Sequence, residues 1–154
     1  MRSATDRLAE LGLSLPPVPT PAASYQPFVR SGNLVFTAGQ LPNVDGKLVR
    51  TGKLGAQITT EEGVELARTA ALNVLAAAVA GTGDLDAVRI VKLTVFVASD
   101  PDFTDQPLVA NGASELLGDI LGEDGLHARS AVGVAVLPLD SPVEIEAVVE
   151  VMSR

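Results

Sequence analysis

Ala128-Arg129-Ser130-Ala131-Val132-Gly133-Val134-Ala135-Val136-Leu137, followed after Pro138-Leu139-Asp140-Ser141-Pro142 by Val143-Glu144-Ile145-Glu146-Ala147-Val148-Val149-Glu150-Val151-Met152, decides the fold. Both runs are rich in β-branched residues, and the prolines between them cannot continue a ladder, so they read as two strands. Side chains alternate across a strand. In the first run Val132, Val134 and Val136 share one face, and Arg129, Ala131, Gly133 and Ala135 share the other. In the second, Val143, Ile145, Ala147, Val149 and Val151 lie opposite Glu144, Glu146, Val148, Glu150 and Met152. The valine faces are expected under helices, which puts Arg129 and Glu144 together on the sheet's other face.

Working outward, Val88 to Ala98 is a third long β-branched run, expected to place Val91, Leu93, Val95 and Val97 on one side. A helix is expected from about Asp105 to Leu121, stopping at Gly122, with Pro107 tolerated in its first turn. Gly112 inside that helix costs ~1 kcal/mol against Ala, which points to a close backbone approach. A longer helix starts at the capping box Thr59-Thr60-Glu61-Glu62 and is expected to stop at Gly81. Upstream, Asn33 to Thr37 reads as a strand, Asn43-Val44-Asp45-Gly46 as a turn and Lys47 to Arg50 as the return strand. Thr5 to Leu11 reads as a short amphipathic helix, and Ser14 to Ala23, with Pro16, Pro17, Pro19 and Pro21, as an extended arm. The expected organisation is an N-terminal helix and proline-rich arm over 1–24 and one domain over 25–154. Its fold class is α/β: a two-layer sandwich, with two helices on one face of a mixed sheet.

The chain has 154 residues, 47% hydrophobic and 19% charged, enough for one domain with its own core. Without cysteine, it has no disulfide framework, thiolate metal site or thiol nucleophile, and its single imidazole is His127. A net charge of −8 counts against a groove that tracks a phosphate backbone by charge. The longest apolar run, Ala70 to Ala80, falls short of the ~20 residues of a span. The N-terminal residues lack an uninterrupted apolar stretch, so a cytoplasmic protein is expected.

The second sheet face mixes small, apolar and charged residues, with Phe96 and Val148 among them, and reads as a surface that another subunit covers. Arg129 and Glu144 admit two readings there. They form an ion pair, or they are a carboxylate-binding Arg beside a catalytic carboxylate. Glu146 shares the parity of Glu144 and competes for the acid's role. His127 is either a loop histidine without a role or a lining residue of the site. Asn111 either bonds a neighbouring backbone or faces the site.

Gly32-Asn33-Leu34-Val35-Phe36-Thr37-Ala38-Gly39-Gln40-Leu41-Pro42 resembles the Gly-Asn-hydrophobic-Ser-Gly-Gln-x-Pro segment of the RidA/YjgF family. His127 to Pro138 with Val143-Glu144-Ile145-Glu146 resembles that family's C-terminal signature, and Asp102-Phe103 with Asn111 matches it at the second helix. The resemblance runs from about residue 25 to 152. It implies a chorismate-mutase-like fold assembled as a homotrimer, with sites in clefts between subunits. It also implies hydrolysis of 2-imino and 2-enamino acids to 2-oxo acids and ammonia, with no metal or cofactor.

By the same resemblance, Arg129 would clamp the substrate carboxylate and Glu144 would position or activate water. Ala131 would offer its backbone, and Gly39, Asn111, Phe28 and Tyr25 would line the cleft. The sequence departs from the family in five places, one of them the extra proline-rich N-terminal arm. Ala38 stands where deaminases often carry Ser, Phe28 where they carry Tyr, and His127 replaces a Pro. The loop at Gln106-Pro107-Leu108 is slightly longer. Two further function classes are a non-catalytic trimer that binds small carboxylates, and a ribonuclease or translation inhibitor. The charge and the lack of a basic aromatic stripe count against the last.

Overall fold

The computed structural model describes residues 1–18 and 24–153, so the part of the proline-rich arm at 19–23 lies outside the described residues. In chain order the elements are α1 (Ala4–Glu10), β1 (Phe28–Ser31), β2 (Leu34–Thr37), β3 (Asn43–Val44), β4 (Lys47–Leu48), α2 (Thr60–Thr82), β5 (Val88–Ala98), α3 (Gln106–Leu121), β6 (Ala128–Val134) and β7 (Val143–Val151). Five strands make one mixed sheet in the order β1-β2-β7-β5-β6. All neighbours are antiparallel except β5 and β6, whose parallel pairing needs a crossover, and α3 supplies it. The two long helices cover one face, so the expected two-layer α/β sandwich is present.

Alanine is the reason the helices lie close. Ala67, Ala70, Ala71 and Ala78 of α2 and Ala110 and Ala113 of α3 are fully buried, together with Leu75, Leu116 and Ile120. At Gly112 a Cβ would stand 2.2 Å from the Val64 carbonyl oxygen of α2, which is the close approach the sequence pointed to. By length and composition α2 could pass for a membrane span, but 61% of its apolar window is buried inside the protein, as in a core helix. α1 shares this core through Ala4 and Leu8. The Ala4 amide donates to Asp86 at 2.6 Å, and Arg7 Nε donates to the Ile120 carbonyl at 2.7 Å.

Local details differ from the sequence reading. Thr59 and Glu62 form the capping box, but α2 runs past Gly81 to a left-handed Gly83 (φ 85°). Gly81 instead lets the sheet approach: a Cβ there would stand 2.6 Å from Val35 and 3.0 Å from Phe28. The strand at 34–37 does not pair with 47–50. It pairs with β1, an unforeseen strand, across a turn at Gly32 (φ 59°). Lys47–Leu48 pairs with Asn43–Val44 around Asp45-Gly46, forming a separate ribbon. In β5 a bulge at Val91 breaks the alternation, so Ile90 is buried and Val91 is 41% exposed.

Candidate functional site

Glu144 lies on β7 opposite Phe96 of β5, on the sheet face without helices. The loop after β2 is clamped onto the start of β7 by two bonds, from Gln40 N–H to the Ile145 carbonyl (2.8 Å) and from Ile145 N–H to the Gln40 carbonyl (2.9 Å). This clamp sets Gly39 directly over the glutamate: a Cβ on Gly39 would stand 2.9 Å from Glu144 Cδ. Only a residue without a side chain leaves the carboxylate room. Partial burial, reinforced by the nearby Glu146 charge, raises the Glu144 pKa above the usual carboxylate value. Among the described residues Glu144 takes part in no ion pair.

Arg129 lies on β6 and is paired in register with buried Leu93. Its guanidinium points to α3, where Nη1 donates to Asn111 Oδ1 (2.8 Å) and to Ser114 Oγ (3.1 Å). Asn111 and Ser114 are three residues apart, hence on one face of the helix. His127, just before β6, places Nε2 at 2.9 Å from the same Ser114 hydroxyl and Nδ1 at 2.6 Å from the Gly125 carbonyl. Arg129 has no carboxylate within salt-bridge distance among the described residues, so its charge is free for a ligand. Ser114 was not singled out in the sequence; its place one turn after Asn111 was the available signal. His127, read as a loop residue or a lining residue, is tied into this cluster.

The expectation that Arg129 and Glu144 share a face is overturned within one chain. Arg129, Ala131 and Gly133 face the helix layer: Ala131 packs on the core, and a Cβ on Gly133 would stand 2.7 Å from Gln106 of α3. Val132 faces outward and is 42% exposed. Alternation alone says which residues share a face and not which face is inward, and hydrophobicity pointed the wrong way. The small residues go inward because α3 and its polar side chains lie close, while the valines go to a face that is itself apolar. That face also carries Val29, 58% exposed, and Phe36, 42% exposed.

Ala131 and Asn111 therefore stand with Arg129, whereas Gly39 stands with Glu144. Phe28 is partly buried on the helix side near Gly81, and Tyr25 is exposed. A depression of about 310 Å³ beside Arg129 is lined by Ser114, Gly118, Leu126 and His127. A larger one of about 500 Å³, between the arm, β3–β4 and α2, is lined by none of these site residues.

Residues 5–151 match the model of the family described as "YjgF/chorismate_mutase-like, putative endoribonuclease". The chain is 50% identical to Protein TCP17 of Trypanosoma cruzi over 93% of this chain and 91% of that protein. It is 31% identical to a 2-iminobutanoate/2-iminopropanoate deaminase of Dermatophagoides farinae, over 89% of this chain and 93% of that one. A crystal structure of the protein Atu1372, of unknown function, from Agrobacterium tumefaciens superposes with a TM-score of 0.89 at 46% identity. That match covers 96% of this chain and 92% of the other.

Proposed function

We propose, from the premise that this chain belongs to the YjgF/chorismate mutase-like family, that it hydrolyses reactive 2-imino and 2-enamino acids to 2-oxo acids and ammonia. The observation that carries the reading is a pair of unneutralised groups. Arg129 is held in place by α3 with its charge unmatched, and Glu144 is half-buried under Gly39 with its carboxylate unmatched. Such groups cost stability unless a ligand uses them.

Arg129 grips the substrate carboxylate through its planar fork. An enamine is first protonated on carbon to the iminium, which is electrophilic. Glu144 takes a proton from water as the oxygen adds to the imine carbon, and returns it to nitrogen. As the C–N bond breaks and ammonia leaves, Glu144, again a carboxylate, takes the remaining hydroxyl proton and the C=O of the 2-oxo acid forms. Water is the sole co-reactant. Since the two groups face opposite sides of one sheet, the site is assembled from Arg129 of one subunit and Glu144 of another, in a homotrimer. The exposed apolar face around Val132 and Phe36 supplies the contact surface. This is a small-molecule site of a cytoplasmic protein.

The test generates imines in situ from several amino acids with an amino-acid oxidase and follows their decay. Acceleration with ammonia release is expected for at least one small apolar imine. Binding of 2-oxo acids without any acceleration would transfer the chain to a carboxylate-binding role, a reading consistent with Ala38 and Phe28, where deaminases often have hydroxyls. Salt-dependent RNA affinity would instead revive the nucleic-acid reading.

A further inference from the structure

We propose that His127 and Ser114 are positioning residues that fix which edge of the Arg129 guanidinium is left for the ligand. The inference rests on Arg129 as the carboxylate grip. The Gly125 carbonyl can only accept, so in the neutral imidazole Nδ1 carries the hydrogen and Nε2 accepts from the Ser114 hydroxyl. The Ser114 oxygen in turn accepts from Arg129 Nη1. All donors then point one way, from Arg129 through Ser114 and His127 to a backbone carbonyl. The anchor is itself pinned, because a Cβ on Gly125 would stand 2.4 Å from the Leu117 carbonyl oxygen of α3.

The arrangement has a consequence for binding. Nη1 has two hydrogens, and Asn111 and Ser114 take both. Nη2 has only a long contact, 3.5 Å, to the Pro107 carbonyl, and Nε makes no hydrogen bond to the described residues. The Nε–Nη2 edge therefore remains for a bidentate carboxylate, and rotation of the fork is blocked by the other edge. Only a side chain with both an acceptor and a donor, as the imidazole of His127 has, can link the Ser114 hydroxyl to the Gly125 carbonyl in this way.

The chain has a single histidine, so its imidazole nitrogens can be followed by 15N NMR without assignment ambiguity. With the imidazole neutral, the ligand-free protein is expected to show the Nδ1–H tautomer. Ser114→Ala and Arg129→Lys are each expected to shift Nε2. An Nε2–H tautomer, or an Nε2 resonance indifferent to both variants, overturns the relay.

In a second arm, 2-oxobutyrate binding is measured by calorimetry. Ser114→Ala and His127→Ala should each weaken it about tenfold, as expected for a misaligned charge-assisted contact. Ser114→Thr should restore it to within about threefold, and Ser114→Ala in an Arg129→Ala background should add nothing. Unchanged affinity in both single variants, with wild type binding normally, refutes positioning. Failure of wild type to bind any 2-oxo acid refutes the proposed function instead, while the NMR arm still decides the relay.

Discussion

Arg129 and Glu144 lie on opposite faces of the same sheet, with β5 between their strands: Arg129 pairs with inward-facing Leu93, and Glu144 with outward-facing Phe96. A small acid cannot touch both within one chain. If the site joins two copies, two crippled variants should rescue each other. At substrate well below KM, Arg129→Ala is expected to lose about tenfold or more and Glu144→Gln ~100-fold or more as pure proteins. Unfolded together and refolded as a mixture, they should regain about a quarter of wild-type turnover, since a cleft needs an intact Arg from one subunit and an intact Glu from its neighbour. No recovery, in a mixture shown by mass spectrometry to contain hybrid oligomers, would mean that the two groups do not act in one site.

Arg129→Lys should be nearly as harmful as Arg129→Ala. An ammonium cannot bond Asn111 and Ser114 on one edge and hold a carboxylate with two parallel donors on the other. KM for the imine is expected to rise about tenfold or more in both variants, by loss of a charged bidentate contact. Near-normal KM in the lysine variant would show that charge suffices.

The long elements were legible because their periodicities are strong. Thr59 and Glu62 do form the cap of α2, and β5, α3, β6 and β7 run close to their expected bounds. The candidate residues themselves were also visible, as an Arg and a Glu among small and apolar neighbours. Glu144 lies on the expected face, and what could not be read was the side of the sheet that Arg129 takes. β6 has small residues inward and valines outward because α3 packs close above it and the opposite face is apolar too. The bulge at Val91 and the turn at Gly32 are single-residue events that alternation does not encode. Ser114 gains its meaning only from the approach of His127 and Arg129, which are distant in sequence.

Gly112→Ala should be strongly destabilising although alanine favours a helix. The added Cβ would fall 2.2 Å from the Val64 carbonyl oxygen and 2.9 Å from its carbon, all backbone, so no side chain can swing aside. The gain in propensity is ~1 kcal/mol, and overpacking of this kind costs about 3 kcal/mol. A net loss of about 2 kcal/mol should lower Tm by roughly 4–8 °C. An unchanged Tm would mean that α2 and α3 separate freely.

Gly39→Ala tests the opposite situation. The three atoms nearest its Cβ all belong to the Glu144 side chain, at 2.9–3.0 Å, and a side chain can move. Tm should change little, while turnover falls about tenfold because the carboxylate is displaced from its working position. A stability loss with normal turnover would make Gly39 structural.

The last prediction concerns the proton on Glu144. Burial, then the Glu146 charge, raises its pKa in the folded protein above the value in the unfolded chain. The folded state therefore binds this proton more tightly. The stability this confers is fully present below the unfolded carboxylate pKa and is lost as pH rises through the folded one. Glutamine has no such dependence, so Glu144→Gln should be at least as stable as wild type at neutral pH, and the difference should close as the pH falls below the usual carboxylate range. Turnover should drop ~100-fold or more in the same variant, the range that a general acid–base group supplies. In wild type the acid limb of the activity profile should lie above that of an ordinary glutamate. Glu146→Gln removes the like charge and should move that limb to lower pH while leaving turnover at neutral pH within about threefold. If the limb stays put in Glu146→Gln and turnover collapses instead, the working carboxylate is Glu146. If Glu144→Gln is less stable than wild type at neutral pH and keeps its turnover, Glu144 is a structural residue.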